Sequence, residues 1–457
     1  VTDTVYDMVI LGAGSGGYAA ALRGAQLGLR VALIEADKIG GTCLHRGCVP
    51  TKAILHSAET AEAVREAAAV GVRAAYQGLD MPAVQRYKNG VISRMYKGLQ
   101  GLVASRGIEV VGGWGRLVAR DTVEVSGRRY RGRNIVLATG SLSKTMGQEI
   151  SGPVMTSDQA LELDRVPASA VVLGGGVIGV ELASAWASMG SQVTIIEALP
   201  HLVPNEDEAI SKQLERAFRK RRIAFRTSTM FESVERTAAG VTVRTADGRT
   251  HDAEVLLIAV GRGPATANLG YEEVGVAMDR GFVLTDDYGR TNVEGVWAVG
   301  DIVPGVQLAH RGFAQGITVA EKIAGLDPRP VDDALVPKVT FCEPEIASVG
   351  LSEARAAEVH GAENVTTSEF NVAGNAKSQI LGTQGFVKLV SLKDGPIVGF
   401  HAIGARMGEQ VGEGQLIVSW EADAHDVASL VHAHPTQNET IGEAAMVLAG
   451  KPLHNHG

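Results

Sequence analysis

Sulfur is scarce in this chain: three cysteines in 457 residues are too few for a scaffold stapled by disulfides. Positive charge is also in deficit, with 43 Lys and Arg against 51 Asp and Glu. The resulting formal charge of -8 argues against a nucleic-acid binder, which carries a basic face. The one basic run, Arg219-Lys220-Arg221-Arg222, lies among acidic residues in a helix-like stretch and reads as a solvated helix face. No apolar run reaches the ~18 residues that suggest a membrane span. The start, VTDTVYDMVILGAG, has no basic leader segment, so the expected location is the cytoplasm. Glycine, at 56, is plentiful but follows no Gly-X-Y period; tight turns and close backbone approaches account for it. A chain this long covers about three ordinary domains.

What is present is one pattern written twice. The stretch YDMVILGAGSGGYAAALRGAQLGLRVALIE reads strand, turn, helix, strand. Gly12, Gly14 and Gly17 form G-x-G-x-x-G directly after the apolar run Met8 to Leu11, and Glu35 closes the second strand. The glycine spacing alone is a weak signal. With a strand before it, a helix after it and an acidic residue at the expected distance, it marks a dinucleotide site. The glycines let the backbone turn tightly and approach a pyrophosphate resting on the helix N-terminus, while Glu35 accepts hydrogen bonds from an adenosine ribose. The stretch ASAVVLGGGVIGVELASAWASMGSQVTIIE repeats this with Gly174, Gly176, Gly179 and Glu197. In both copies the glutamate follows the first glycine by the same number of residues, so two dinucleotides are expected. Glu197 would repel a 2′-phosphate, and no arginine follows it in EALPHLVP; the second site should prefer NAD to NADP.

Other segments complete these units. NIVLATG, from Asn134 to Gly140, and VLLIAVG, from Val255 to Gly261, are apolar strands ending in glycine turns. TNVEGVWAVGDI presents Asp301 at a strand end, where open α/β sheets bind ligands; Asp301 would also serve as a helix N-cap. From about Val336 the pattern changes to an antiparallel sheet covered by helices, with a hairpin turn at Lys393-Asp394-Gly395-Pro396. The expected fold class is α/β, with two Rossmann-like dinucleotide-binding domains plus a C-terminal α+β interface domain.

Two of the three cysteines, Cys43 and Cys48, stand close together in GGTCLHRGCVPTK, just after the first nucleotide motif. In a cytoplasmic protein such a pair points to catalysis or a metal rather than a staple. A zinc site needs more ligands than Cys43, Cys48 and His45 supply, and the chain offers no second cysteine cluster. Cys342 reads as a small buried hydrophobe. Thiols exchange electrons as pairs through attack of thiolate on sulfur, nicotinamide exchanges hydride, and flavin reacts with both. The N-terminal site is therefore expected to hold FAD and the middle site NAD.

The motifs GAGSGG, GGTCLHRGCVPTK, ATG, GGGVIGVE, GVWAVGD, QLAH and HAHPTQNE run through essentially the whole chain, which resembles the class I pyridine nucleotide-disulfide oxidoreductase family. The resemblance implies roles. Cys43 would be the interchange thiol that the substrate attacks, and Cys48 the thiol lying against the flavin. Lys52 would sit near the flavin and pair with Glu181, stabilising negative charge. Thr139, Gly140 and Asp301 would complete the FAD site, and Gly261 the corresponding end of the NAD unit. His434, oriented by Glu439, would act as general base at the cysteines of the other subunit of a homodimer. His432 is not expected to take part. The implied limits are 1–147 for the FAD domain, 148–272 for the NAD domain, 273–336 for a central region completing the FAD domain, and 337–457 for the interface domain.

Residues narrow the branch. Mercuric reductases carry a further cysteine pair near the C-terminus, where this sequence reads KPLHNHG. Val177 stands where glutathione-type reductases commonly have tyrosine, and Glu197 opposes their NADP. What remains is oxidation of dihydrolipoyl groups with NAD. The substrate would be carried by the acyltransferase core of a 2-oxoacid dehydrogenase complex or by a glycine-cleavage carrier protein. The alternative is another NAD(P)H-dependent flavoprotein reductase, of a small disulfide or of mercuric ion. His45 and Arg46, between the cysteines, either lower a thiolate pKa or face solvent; the expectation is solvent.

Overall fold

A computed structural model describes residues 4–455. The chain forms two compact units, one of residues up to 54, 82–144 and 261–333, the other of 55–81, 145–260 and 334 onward.

The first unit is built on a parallel sheet ordered Glu109–Gly112, Val31–Glu35, Val5–Leu11, Arg128–Leu137, Val296–Ala298. Strands Val5–Leu11 and Val31–Glu35 and the second half of Arg128–Leu137 are mostly apolar because both faces are covered there. Successive side chains alternate between two cores. Met8, Ile10, Leu33 and Val136 pack with Ala20 and Ala21 of helix Ser15–Gln26 on one face. Val9, Leu11, Ile34 and Leu137 pack with Leu117, Tyr271 and Val283 on the other. An antiparallel pair, Gly115–Ala119 and Thr122–Val125, lies against the first half of Arg128–Leu137. Helices Ser15–Gln26 and Ala309–Ile323 cross so closely that a Cβ on Gly316 would lie 2.2 Å from the Gly16 carbonyl oxygen. The chain after residue 261 thus supplies both the last parallel strand and a helix of this unit.

The second unit contains a sheet whose strands all run parallel, ordered Ala224–Arg226, Gln192–Ile196, Ser169–Leu173, Val255–Ile258, Val154–Met155. The three strands Phe231–Thr237, Gly240–Thr245 and Thr250–Ala253 form a separate antiparallel sheet. A five-stranded antiparallel sheet follows, ordered Lys338–Thr340, Glu345–Gly350, Ile397–Gly404, Phe386–Leu392, Val365–Asn371. Helices Met407–Ser419 and Glu439–Leu448 bury Met407, Val411, Ile441 and Ala444 against Val349, Phe370, Leu389 and Phe400 of that sheet. The hairpin at Lys393 to Pro396 joins two of its strands, as the sequence suggests. Within this unit Asp207 caps helix Glu208–Lys220 by accepting from the Ala209 amide. It also takes a bond from the Lys388 ammonium at 3.0 Å, which bonds Glu353 as well at 2.6 Å. Lys388 is buried, and two carboxylates offset the cost of desolvating its charge.

One expectation is corrected here. The basic run at Arg219 to Arg222 is not simply a solvated face. The helix ends at Lys220, and the Arg221 side chain turns inward, where it is only 16% exposed. Its guanidinium donates to Ser184 Oγ, Ser188 Oγ and the Glu343 carbonyl at 2.6–2.8 Å and pairs with Glu62. These acceptors come from distant segments, so local charge pattern did not reveal them. Among the described residues no helix is long and apolar enough to cross a membrane.

Candidate active site

In the first unit the turn after strand Val5–Leu11 needs glycine for steric reasons. Gly12 has φ +101°, and a Cβ there would lie 2.3 Å from the Ala138 carbonyl oxygen. A Cβ on Gly17 would lie 1.9 Å from the Gly12 carbonyl oxygen, so helix and strand could not pack. Gly14 differs: it caps helix Ser15–Gln26, and a Cβ there would meet nothing within 4 Å. Space is left at a helix N-terminus, where backbone N–H groups attract an anion. Glu35 accepts from the Ala13 amide at 2.7 Å and the Asp37 amide at 2.9 Å.

The second unit reproduces this feature by feature. A Cβ on Gly174 would lie 2.4 Å from the Ala259 carbonyl oxygen and one on Gly179 would lie 1.9 Å from that of Gly174, while Gly176 opens on free space. Glu197 accepts from the Gly175 amide at 2.6 Å and the Leu199 amide at 2.7 Å. Both cradles fit a dinucleotide: each leaves room for a pyrophosphate at a helix N-terminus and holds a carboxylate where a free ribose hydroxyl would donate. Gly14→Val is therefore expected to keep the fold, since a Cβ there meets nothing within 4 Å, while filling the first cradle. The purified variant is expected to carry far less flavin absorbance per chain than the parent.

Around the first cradle, Thr139 and Tyr271 share a hydroxyl hydrogen bond of 3.1 Å. Gly140 follows at φ +75°. Asp301 sits in a short 3-10 turn, Gly300–Ile302, and accepts from Ser141 Oγ at 2.5 Å. It is not a helix N-cap; the next helix starts at Ala309 behind Leu308. Arg262 donates to both Ser141 Oγ and the Ser141 carbonyl at 2.7 Å, and so holds the partner of Asp301. Sequence reasoning missed Arg262, although it directly follows Gly261, whose carbonyl accepts from the Lys144 amide.

The thiols occupy the junction of two helices. Gly40, at φ +103°, caps the short helix Gly41–His45, which carries Cys43; Cys48 opens helix Cys48–Glu66. Cys43 is half-buried and Cys48 is exposed. The Cys43 thiol is hydrogen-bonded to Cys48. That bond, burial and the neighbouring sulfur's charge push Cys43 well above the ordinary thiol range, with Lys52 pulling it back. Lys52 stands one turn beyond Cys48 on the same helix, so the two side chains share a face. The Tyr18 hydroxyl is pushed up to about 12 by burial and by the charges of Cys43 and Cys48, so it stays protonated beside the pair. Nothing in the residue pattern singles out Tyr18 beyond its place after Gly17.

The expectation for the intervening loop is half corrected. Arg46 is exposed and pairs with Asp37 at 3.3 Å. His45 does not face solvent: its Nε2 bonds the Ile39 carbonyl at 2.9 Å, and its ring meets the edge of Tyr96. It tethers the loop, and the cation that acts on Cys43 is Lys52.

In the second unit Glu181 is buried and accepts from the Phe341 amide at 2.9 Å. Cys342 beside it is buried and donates to the Pro344 carbonyl, which suits its reading as a small core residue. His434 Nδ1 bonds Glu439 Oε1 at 2.7 Å, and the other carboxylate oxygen accepts from the Thr436 amide at 2.8 Å. Burial opposes the charge on Glu439, yet the Thr436 amide and the His434 ring hold its carboxyl below the usual range. His434 is 71% exposed, so its far ring nitrogen is open to a proton donor. No cluster of three metal-ligating side chains occurs among the described residues.

Residues 6–316 match the family model for pyridine nucleotide-disulphide oxidoreductases, and residues 336–445 match the dimerisation domain of the same family. The chain belongs to this family. Its cofactors are FAD and NAD, and the two glycine cradles are the residues that fit them. Among relatives, a dihydrolipoyl dehydrogenase of Bacillus subtilis is 37% identical over 99% of both chains. One of Geobacillus stearothermophilus is 36% identical over 98% of this chain and 97% of its own. Among solved structures, LpdA from Mycobacterium tuberculosis superposes with a TM-score of 0.90 at 26% identity, covering 96% of this chain and 99% of that one. The flavoprotein disulfide reductase RclA from Escherichia coli, described as HOCl-induced, gives 0.87 at 26% identity, over 97% of this chain and 100% of its own.

Proposed function

We propose that the chain oxidises protein-bound dihydrolipoyl groups to lipoyl disulfide with NAD as acceptor, through a Cys43–Cys48 disulfide. The observation that carries this reading is the thiol pair, hydrogen-bonded sulfur to sulfur at a helix start with Lys52 on the same face.

In the cycle, one substrate thiolate attacks Cys43 Sγ in the Cys43–Cys48 disulfide. That bond breaks, Cys48 leaves as thiolate, and a mixed disulfide joins Cys43 to the substrate. His434 takes the proton from the second substrate thiol, and the new thiolate attacks the substrate sulfur of the mixed disulfide. Lipoyl disulfide departs, and Cys43, expelled as thiolate, takes the proton back from the His434 imidazolium. Glu439 orients the His434 ring and stabilises the imidazolium that forms. In the reduced pair the raised Cys43 holds that proton towards Cys48, so the negative charge rests on the sulfur at the helix N-terminus, which favours it. FAD and NAD, when bound, supply the two-electron route that returns the thiols to the disulfide. Gly12, Gly14, Gly17, Glu35, Thr139, Gly140 and Asp301 would hold the first, and Gly174, Gly176, Gly179, Glu197 and Gly261 the second.

Lys52 belongs to the first unit and Glu181 to the second, and their pairing is part of this proposal, as are the domain limits 1–147, 148–272, 273–336 and 337–457. The match to a dimerisation domain supports a homodimer in which each His434 serves the partner's thiols. The relatives' name, dihydrolipoyl dehydrogenase, supports the dihydrolipoyl substrate; a cytoplasmic location and a place in a 2-oxoacid dehydrogenase or glycine-cleavage assembly are part of this proposal. The test compares NAD reduction by dihydrolipoamide with reduction of glutathione disulfide by NADH and by NADPH. Fast turnover in the first assay and almost none in the others is expected. The reverse pattern would move the chain to the small-disulfide reductases.

A further inference from the structure

A second histidine–carboxylate pair fastens the loop that carries His434. His432 Nε2 lies 2.7 Å from Glu413 Oε1, and Asn438 Nδ2 donates to Glu413 Oε2 at 2.6 Å. One carboxylate, on helix Met407–Ser419, therefore grips the loop on both sides of His434 and immediately before Glu439. The surroundings are shaped for this grip. The His432 side chain is only 12% exposed, and a Cβ on Gly442 of helix Glu439–Leu448 would lie 2.6 Å from its Nδ1. The bond to Glu413 raises His432 above the ordinary imidazole range in spite of burial, which favours the charged form of the ring. His434 has none of this enclosure: it projects from the loop with Glu439 as its partner. A base in that position takes its direction from the loop beneath it.

We propose that Glu413 is a positioning residue for the His434 base. By accepting from His432 and Asn438 together, it fixes the loop from which His434 extends and the helix start from which Glu439 reaches back. The inference rests on the dihydrolipoyl reading, which gives His434 a proton to take.

The variants Glu413→Ala, Glu413→Gln and Glu413→Ala/His432→Ala, made in the full-length protein, test it. In Glu413→Ala, kcat for dihydrolipoamide oxidation is expected to fall about 10- to 100-fold, as misplaced catalytic groups cost. The KM for NAD stays put, and so does NADH oxidation by ferricyanide, which requires no thiol deprotonation. Amide hydrogen exchange across 431–438 quickens. Glu413→Gln keeps an acceptor for His432 and recovers most of kcat, whereas the double variant is no worse than Glu413→Ala because both changes cut one linkage. A Glu413→Ala protein with kcat within twofold of the parent and unaltered exchange overturns the proposal. So does a variant whose ferricyanide rate and thermal midpoint fall in step with kcat, since Glu413 would then serve the fold alone. The exchange measurement needs no substrate. A parent inactive towards dihydrolipoamide, with exchange still quickened by Glu413→Ala, would therefore sink the substrate reading and leave the loop role standing.

Discussion

Cys48→Ser reduces NAD reduction by dihydrolipoamide to background while leaving flavin bound at the parental ratio. Serine is nearly isosteric with cysteine and is readily accepted at the start of a helix, where Cys48 stands. The fold therefore has no reason to change. The residues that cradle the first dinucleotide lie elsewhere, at the turn of Gly12 to Gly17, at Glu35 and at Asp301. What disappears is a sulfur. A hydroxyl cannot form or open a disulfide, so a substrate thiolate attacking at Cys43 finds no sulfur leaving group. Flavin absorbance per chain and initial rates on one preparation give the result. Undiminished turnover would remove the thiol pair from the mechanism and with it the function proposed above.

The second large effect belongs to His434. His434→Ala should cut kcat for dihydrolipoamide oxidation by roughly 10²- to 10⁴-fold, the range that a positioned general base contributes. Oxidation of NADH by ferricyanide should be preserved, because that reaction takes no proton from a thiol. The ring is mostly exposed, and substitutions of that kind usually change stability by no more than about 0.5 kcal/mol, so lost folding would not mimic the effect. Equal losses in both assays would mean that His434 supports the protein rather than the proton transfer.

The parts of this molecule that could be read from the sequence are those whose physical cause is local. Two turns in which a Cβ would collide with a neighbouring carbonyl oxygen admit only glycine at Gly12, Gly17, Gly174 and Gly179, and the strand and helix around them follow in order. The hairpin at Lys393 to Pro396 is equally local. What stayed hidden depends on segments far apart along the chain. Arg221 finds its acceptors at Glu62, Ser184, Ser188 and Glu343, so one member of a run of like charges turns inward where the charge pattern alone indicates solvent. Arg262 reaches across to Ser141, which in turn serves Asp301. His432, set aside in favour of His434, gains its importance from Glu413 on another helix. His45 is tied to Ile39 six residues away by a ring nitrogen, a contact that residue type does not announce.

Both nucleotide glutamates have their oxygens already committed. Glu35 joins Ala13 to Asp37, and Glu197 joins Gly175 to Leu199, so each carboxylate staples a glycine turn to the chain leaving the second strand. Folding, rather than ligand arrival, therefore supplies the ordering of the socket. An adenosine that enters finds its acceptor aimed beforehand, and little of the contact energy is consumed in arranging the receptor.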